Sequence, residues 1–184
     1  MAENGAAKKD SKCGSIAAGT GVGTHHRNRR GELILDRQRN ASLGALEDYD
    51  FEAWQPDAVI INLGTNDATA IQSAAELGQE WAGTRDIEEV KEILTTAICD
   101  FLKVVRNSNP TAQIIWGYGM LGDSFLPVIR DAVESYATDT FDSRIHFLHL
   151  PDTTPDTVGS RLHPGVKAHR NVAQILEEYL KKII

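Results

Sequence analysis

The segment Trp54-Gln-Pro-Asp-Ala-Val-Ile-Ile-Asn-Leu-Gly-Thr-Asn-Asp67 decides the fold of this chain. Its centre, residues 58–61, is an unbroken apolar run rich in β-branched side chains, which is typical of a strand buried on both faces of a parallel sheet. Gly64 ends the run, and residues 64–67 are expected to form a polar loop at the carboxyl end of the strand. Ligands of open α/β sheets bind beyond the carboxyl ends of the strands, so this loop is a candidate binding site.

The loop residues have the properties that such a site needs. Asn66 offers two side-chain N–H donors, and Gly64 allows a ligand to approach the backbone closely. Thr65 and Asp67 add polar groups, so these two residues and Gly64 are predicted to bind substrate. Glycine, asparagine and aspartate are also common in ordinary turns, and the loop by itself leaves that alternative open.

Other apolar runs resemble this strand and predict a parallel sheet. Strands are expected near residues 14–18, 58–63, 113–118 and 145–150, separated by helical patterns. The clearest helix runs from Asp86 to Arg106, and others are expected over residues 126–137 and after Pro164, with some helical character around residues 74–81. The alternation predicts one α/β domain over residues 1–184, a doubly wound, flavodoxin-like three-layer αβα sandwich with a mostly parallel sheet.

Composition limits the partners that this chain can have. The 184 residues carry a net charge of −7, which argues against a nucleic-acid partner or an anionic membrane surface. No apolar run approaches the roughly 20 residues of a membrane span. Cys13 and Cys99 make neither a disulfide framework nor a metal spacing, and His25 and His26 have no ligand partners nearby, so no metal or cofactor is predicted. The amino terminus lacks a signal peptide, which predicts a cytoplasmic location, or a secreted one if a leader has been removed.

The glycine-rich loop of residues 19–23 is a second candidate site. A dinucleotide fingerprint would need glycine where Thr24 stands, and a phosphate-binding Walker loop would need lysine and a hydroxyl residue where His25 and His26 stand. The spacing of these residues therefore argues against nucleotide binding. From its residues alone the loop is a tight turn after a strand, whose glycines permit positive φ and close approach to the backbone.

The segment from Trp54 to Asp67 resembles the third sequence block of the SGNH (GDSL-type) hydrolases, and it looks most like the family 2 carbohydrate esterases, which deacetylate plant polysaccharides. The resemblance implies that the Asn66 amide and the Gly21 N–H bind the oxyanion. In this family a first strand, the Gly-Asp-Ser turn and a helix come before the loop that corresponds to Gly21. Only residues 1–20 precede Gly21 here, so the resemblance predicts an amino-terminally shortened SGNH fold. The sheet edges left open would be covered by a second copy of the chain, by Glu32–Leu35 or by Met1–Lys12.

The segment His163-Pro-Gly-Val-Lys-Ala-His169 is similar to the His-Pro-Ser-x-x-x-His block of the same family. The resemblance implies that His163 is the catalytic base, with Gly165 in the place of the serine. An aspartate two or three residues earlier commonly orients the base, and those positions hold Arg161 and Ser160 here. Some family 2 esterases use a backbone carbonyl instead.

The nucleophile of this family lies in a Gly-Asp-Ser turn near the amino end of the domain. Here Gly122-Asp123-Ser124 follows the strand near residues 113–118, which makes Ser124 the candidate nucleophile by local context. Its position along the chain differs from that of the family, so coincidence is favoured and Ser124 is expected to lie away from His163.

The resemblance predicts an esterase-type hydrolase for short acyl esters, especially acetyl esters of carbohydrates, with a Ser-His mechanism and a Gly/Asn oxyanion hole. The substrate would be a small-molecule or polysaccharide ester. One alternative is an inactive pseudoenzyme or carbohydrate-binding module on the same fold. Another is a flavodoxin-like protein that binds an unrelated small anion at residues 19–23.

Overall fold

The computed structural model describes residues 51–52 and 54–184. In this part of the chain the strands are β1 (Ala58–Ile61), β2 (Gln113–Gly119) and β3 (Ile145–Leu150). The helices are α1 (Thr65–Glu76), α2 (Ile87–Ser108), α3 (Leu126–Asp139) and α4 (Val166–Ile183), with a 3-10 turn over Ser160–Leu162. The expected strand at residues 14–18 lies outside the described residues.

The three strands form a parallel sheet in the order β1-β2-β3. Ile61 lies opposite Trp116 in the first pair, and Gly119 lies opposite Leu150 in the second. The α/β class, the parallel sheet and the strands predicted from the three later apolar runs are confirmed.

Helices cover both faces of this sheet. Alternate residues of the strands, among them Ile114, Trp116 and Tyr118, pack with α1, α2 and α3 in the larger core. On the opposite face, Leu148 and Leu150 of β3 pack against α4 in a smaller core. The two cores are the two interfaces of a three-layer sandwich, because side chains alternate between the faces of each strand.

The long helix α2 follows the predicted apolar stripe. Leu94, Ile98 and Leu102 are fully buried, and they repeat at four-residue spacing along one side of the helix. The Asp86 side chain caps the amino end by accepting a hydrogen bond from the backbone N–H of Glu88 at 2.9 Å. Sequence periodicity and capping thus agree on this element, which extends to Ser108.

The connection after β1 differs from the prediction. Residues 65–67 are the first turn of helix α1 rather than a loop, and the helix ends at Glu76 instead of occupying residues 74–81. Gly64, with a φ of 114°, turns the chain directly from strand to helix. Asp67, Ala68 and Ile71 then face the core at three- and four-residue spacing, and a carboxylate suits the positive amino end of the helix dipole.

Strand β1 forms one edge of the described sheet. Among residues 51–52 and 54–184, β1 pairs with β2 alone, and Ile60 of β1 is 46% exposed. The expectation that a second copy, Glu32–Leu35 or Met1–Lys12 covers this edge stays a prediction, since both segments lie outside the described residues.

At the opposite edge, an ion pair between Arg106 and Asp142 holds the end of α2 to the chain that enters β3. Arg106 Nε donates to Asp142 Oδ2 at 2.6 Å, and its Nη1 donates to the carbonyl oxygens of Asn109 and Ala112, each at 2.8 Å. Partial burial by itself would raise the pKa of Asp142, but hydrogen bonds from the Arg144 backbone N–H and from Arg106 lower it below its usual range.

The lowered pKa of Asp142 predicts an acid-dependent loss of stability. A depressed carboxyl pKa stabilises the fold above the unfolded value of about 3.9, and this contribution is lost as the pH falls through the lower folded pKa. Asp142→Asn should therefore be less stable than wild type at pH 6, and the gap should narrow below about pH 4. Urea unfolding across this pH range measures it, with the exposed Asp131→Asn as control. A gap that does not change with pH would contradict the prediction.

Candidate active site

The loops that follow the three strands meet at the carboxyl edge of the sheet. The loop after β2 connects the other two, because Met120 Sδ accepts a hydrogen bond from Asn62 Nδ2 at 3.8 Å and its carbonyl oxygen accepts one from the backbone N–H of Thr153 at 3.1 Å. A further bond joins the Gly122 N–H to Asp152 Oδ1 at 2.8 Å. Asn66 comes just after the first loop and His163 lies near the end of the third, so each follows the carboxyl end of a strand.

Residues 64–67 differ in how far they can reach a ligand. Gly64 and Asp67 are buried, Thr65 is partly buried, and Asn66 is exposed in the first turn of α1. A Cβ at Gly64 would lie 2.7 Å from Ile129 Cδ1 and 3.3 Å from the Tyr118 ring, and the φ of 114° disfavours any side chain, so backbone conformation and crowding both favour glycine. Gly64 and Asp67 are buried while Asn66 is exposed, and binding of substrate by Gly64, Thr65 and Asp67 stays a prediction.

Tyr118 lies beneath this edge and was not singled out from the sequence, where it ends an apolar run. Its side chain packs against Gly64 and is almost completely buried. Burial raises the pKa of Tyr118, the hydrogen bond with the Phe125 backbone lowers it less, and nearby carboxylates raise it further. The phenol therefore remains neutral at neutral pH and supports the loops as a hydrogen-bonding, largely apolar group.

His163 lies in the loop between β3 and α4, with an exposed side chain. Its ring Nδ1 is 2.9 Å from the carbonyl oxygen of Arg161. Because a carbonyl oxygen can only accept, Nδ1 must carry the hydrogen, and the neutral ring then has its lone pair on Nε2. No described residue forms a hydrogen bond with Nε2. The ring is thus oriented by a backbone carbonyl, and within residues 51–52 and 54–184 its basic nitrogen has no partner.

The backbone that supplies this carbonyl is strained. Arg161 and Leu162 have φ values of 54° and 63°, in the left-handed region that side chains other than glycine rarely adopt. The His163 N–H donates to the carbonyl oxygen of Ser160 at 3.1 Å and closes the turn. Such strain persists only where surrounding contacts enforce it, and it is concentrated at functional sites.

Ser124 does not pair with His163 in this structure. Its Oγ accepts a hydrogen bond from Gln72 Nε2 of helix α1 at 2.8 Å. The neighbouring Asp123 accepts from His149 Nε2 at 3.0 Å, so the aspartate and serine of the Gly-Asp-Ser segment have separate partners. Sequence spacing alone gave no sign of the Gln72 contact, because Gln72 belongs to helix α1 and Ser124 to the loop between β2 and α3.

The second oxyanion donor, metal binding and membrane spans were also considered in the sequence. Gly21 lies outside them, so the second oxyanion donor is not placed. Within residues 51–52 and 54–184, no group of three or more histidine, cysteine, aspartate and glutamate residues could hold a metal ion. In the same part of the chain, no helix has the length and apolar character needed to cross a membrane.

Comparison with known proteins defines the class. Residues 8–176 match the family of GDSL-like lipases and acylhydrolases, and the chain belongs to that family. Its homologues are family 2 carbohydrate esterases, and the structural neighbours have the SGNH fold, which confirms the resemblance seen in the sequence.

Three individual proteins show how similar this chain is to its relatives. The acetyl xylan esterase Est2A of Butyrivibrio proteoclasticus is 38% identical with a TM-score of 0.70, and the match covers 89% of this chain and 49% of that one. A family two carbohydrate esterase of Clostridium thermocellum, solved with cellohexaose, is 25% identical with a TM-score of 0.67, covering 89% and 47%. Cellulase/esterase CelE of Acetivibrio thermocellus is 27% identical over 169 residues, which are 89% of this chain and 19% of CelE. The chain thus spans about half the length of the two solved structures.

Proposed function

We propose that this chain is an ester hydrolase domain that removes short acyl groups, acetyl groups above all, from carbohydrates. Membership of the GDSL-like family and similarity to an acetyl xylan esterase support the reaction and substrate class. The observation that carries the proposal is the geometry of His163. Its Nδ1 is held by the Arg161 carbonyl, which leaves the lone pair on Nε2 to accept a proton, as a general base does.

The proposed reaction runs in two steps. In the first, a serine hydroxyl gives its proton to His163 Nε2 while its oxygen attacks the acyl carbonyl, and the protonated ring then transfers that proton to the departing sugar oxygen. In the second, His163 takes a proton from water, which attacks the acyl-enzyme, and the ring returns that proton to the serine oxygen as the acid is released. The Asn66 amide, together with the Gly21 N–H, would stabilise the oxyanion in both steps.

The position of Ser124 makes a prediction about the nucleophile. Because its Oγ is bonded to Gln72 and not to His163, Ser124→Ala should retain the turnover of p-nitrophenyl acetate to within a few-fold. A fluorophosphonate probe that labels reactive serines, followed by peptide mass spectrometry, should then modify a serine other than Ser124. Loss of turnover and of labelling in Ser124→Ala would instead identify Ser124 as the nucleophile, after a rearrangement of the Gly122–Ser124 segment.

A second candidate function is carbohydrate binding without catalysis. It is favoured by one observation: among the described residues, no hydroxyl forms a hydrogen bond with His163 Nε2. The two functions differ in two measurements on the wild-type chain. An esterase hydrolyses p-nitrophenyl acetate, whereas a binding module leaves it intact but gives a calorimetric signal with xylo-oligosaccharides or cello-oligosaccharides. For either function we propose a cytoplasmic location, or a secreted one if a leader has been removed.

A further inference from the structure

The loop that presents His163 closes on itself between Thr157 and Gly165. The Gly165 N–H donates to the carbonyl oxygen of Thr157 at 2.9 Å, and the Gly159 N–H donates to that of His163 at 2.7 Å. Val158 and Pro164 pair as an antiparallel bridge between these two bonds. His163 is therefore fixed by the backbone on both sides of the loop, and its ring orientation depends on how tightly the loop closes.

Two glycines allow this closure by their lack of a side chain. A Cβ at Gly159 would lie 2.9 Å from the Cα of Gly165, and a Cβ at Gly165 would lie 2.7 Å from the carbonyl oxygen of Thr157. Both distances are shorter than real Cβ contacts, and the crowded atoms belong to the backbone, which cannot turn aside as a side chain can. The φ values, −113° at Gly159 and −85° at Gly165, are open to any residue. Space, and not backbone conformation, requires glycine here.

We propose that Gly159 and Gly165 are positioning residues for His163, an inference that rests on the proposed function. Their close contact holds the loop shut and keeps Arg161 and Leu162 in the left-handed region. That conformation directs the Arg161 carbonyl at Nδ1 and leaves Nε2 as the base. A side chain at either glycine would open the loop, the strained turn would relax, and the carbonyl would leave the ring.

Gly165 is a position at which this chain differs from the family pattern. The sequence resemblance places a serine at the position of Gly165, and the Cβ of any serine would meet the Thr157 carbonyl and, at 3.1 Å, the Gly159 nitrogen. A loop of this closure therefore cannot hold serine there without widening. The tight Gly159–Gly165 contact is thus how this chain, with Arg161 and Ser160 in the positions of the usual aspartate, fixes its histidine.

The test compares Gly159→Ala and Gly165→Ala with the wild-type chain. We expect kcat for p-nitrophenyl acetate to fall about 10²-fold in each variant with little change in KM, because displacement by about an ångström misaligns the base. Nitrogen-15 NMR of the His163 ring should show Nδ1–H as the major neutral tautomer in wild type and a mixture of tautomers in the variants. Gly78→Ala is the matched control, since Gly78 has a φ of 63°, nothing within 4 Å of its added Cβ, and a position at the far end of α1.

The outcomes separate the inference from the function on which it rests. Folded glycine variants with wild-type kcat and a wild-type tautomer would overturn the positioning role. Collapse of the whole fold in both variants would also overturn it, because the contact would then serve global stability. A wild-type chain without turnover would refute the proposed function, while the tautomer comparison would still decide whether the two glycines orient the ring.

Discussion

His163→Ala is expected to lower kcat/KM for p-nitrophenyl acetate by about 10³-fold, the magnitude typical of losing a general base. The structure gives the physical reason. The ring is the acceptor of the nucleophile's proton in the proposed reaction, and its Nε2 lone pair is fixed by the bond between Nδ1 and the Arg161 carbonyl. Because the side chain is exposed, its removal should hardly change the free energy of unfolding. Steady-state kinetics and urea unfolding of the same preparations measure both effects.

His169→Ala is the matched control for this experiment. His169 is also an exposed histidine, and it lies six positions further on in helix α4. Its replacement should leave both turnover and stability close to wild type. Equal activity in His163→Ala and wild type would exclude His163 as the base and, with it, the Ser-His mechanism proposed above.

Gly119→Ala is expected to lower the free energy of unfolding by about 3–5 kcal/mol, combining backbone strain and overpacking. Gly119 is the last residue of β2 and lies opposite Leu150 in the parallel pair with β3. A Cβ there would be 2.0 Å from the Leu150 carbonyl oxygen, and the φ of 138° already disfavours any side chain. The chain could relieve the clash only by separating the ends of β2 and β3, which carry the loops of the candidate site.

Gly122→Ala separates the clash from the strain. Gly122 also has a positive φ, 101°, but an added Cβ would have nothing within 4 Å. This variant should lose only about 1–2 kcal/mol, the cost of a left-handed alanine. Urea unfolding of the two variants gives the comparison, and equal losses would show that the contact with Leu150 does not matter.

Local sequence patterns determined the framework of the sheet and its main helix. The β-branched run at residues 58–61 and the apolar runs ending at Tyr118 and Leu150 each predicted a buried strand, and each is a strand of the parallel sheet. The apolar stripe of α2 was equally clear. Such patterns succeed because burial on one or both faces of an element imposes a short period on the sequence itself. The motif spacings around Asn66 and His163 likewise indicated the family that the comparisons confirm.

Tertiary structure alone decided which groups of the candidate site contact one another. Ser124 has the sequence context of a nucleophile, yet its hydroxyl bonds to Gln72 of helix α1. The residues before His163 gave no orienting aspartate, and the fold supplies the Arg161 carbonyl through a strained turn. Gly159 and Gly165 look like ordinary loop glycines until their backbones are seen to touch. These features depend on where packed strands and helices bring loop backbones together. Local periodicity and residue propensity do not predict which loop atoms come into contact.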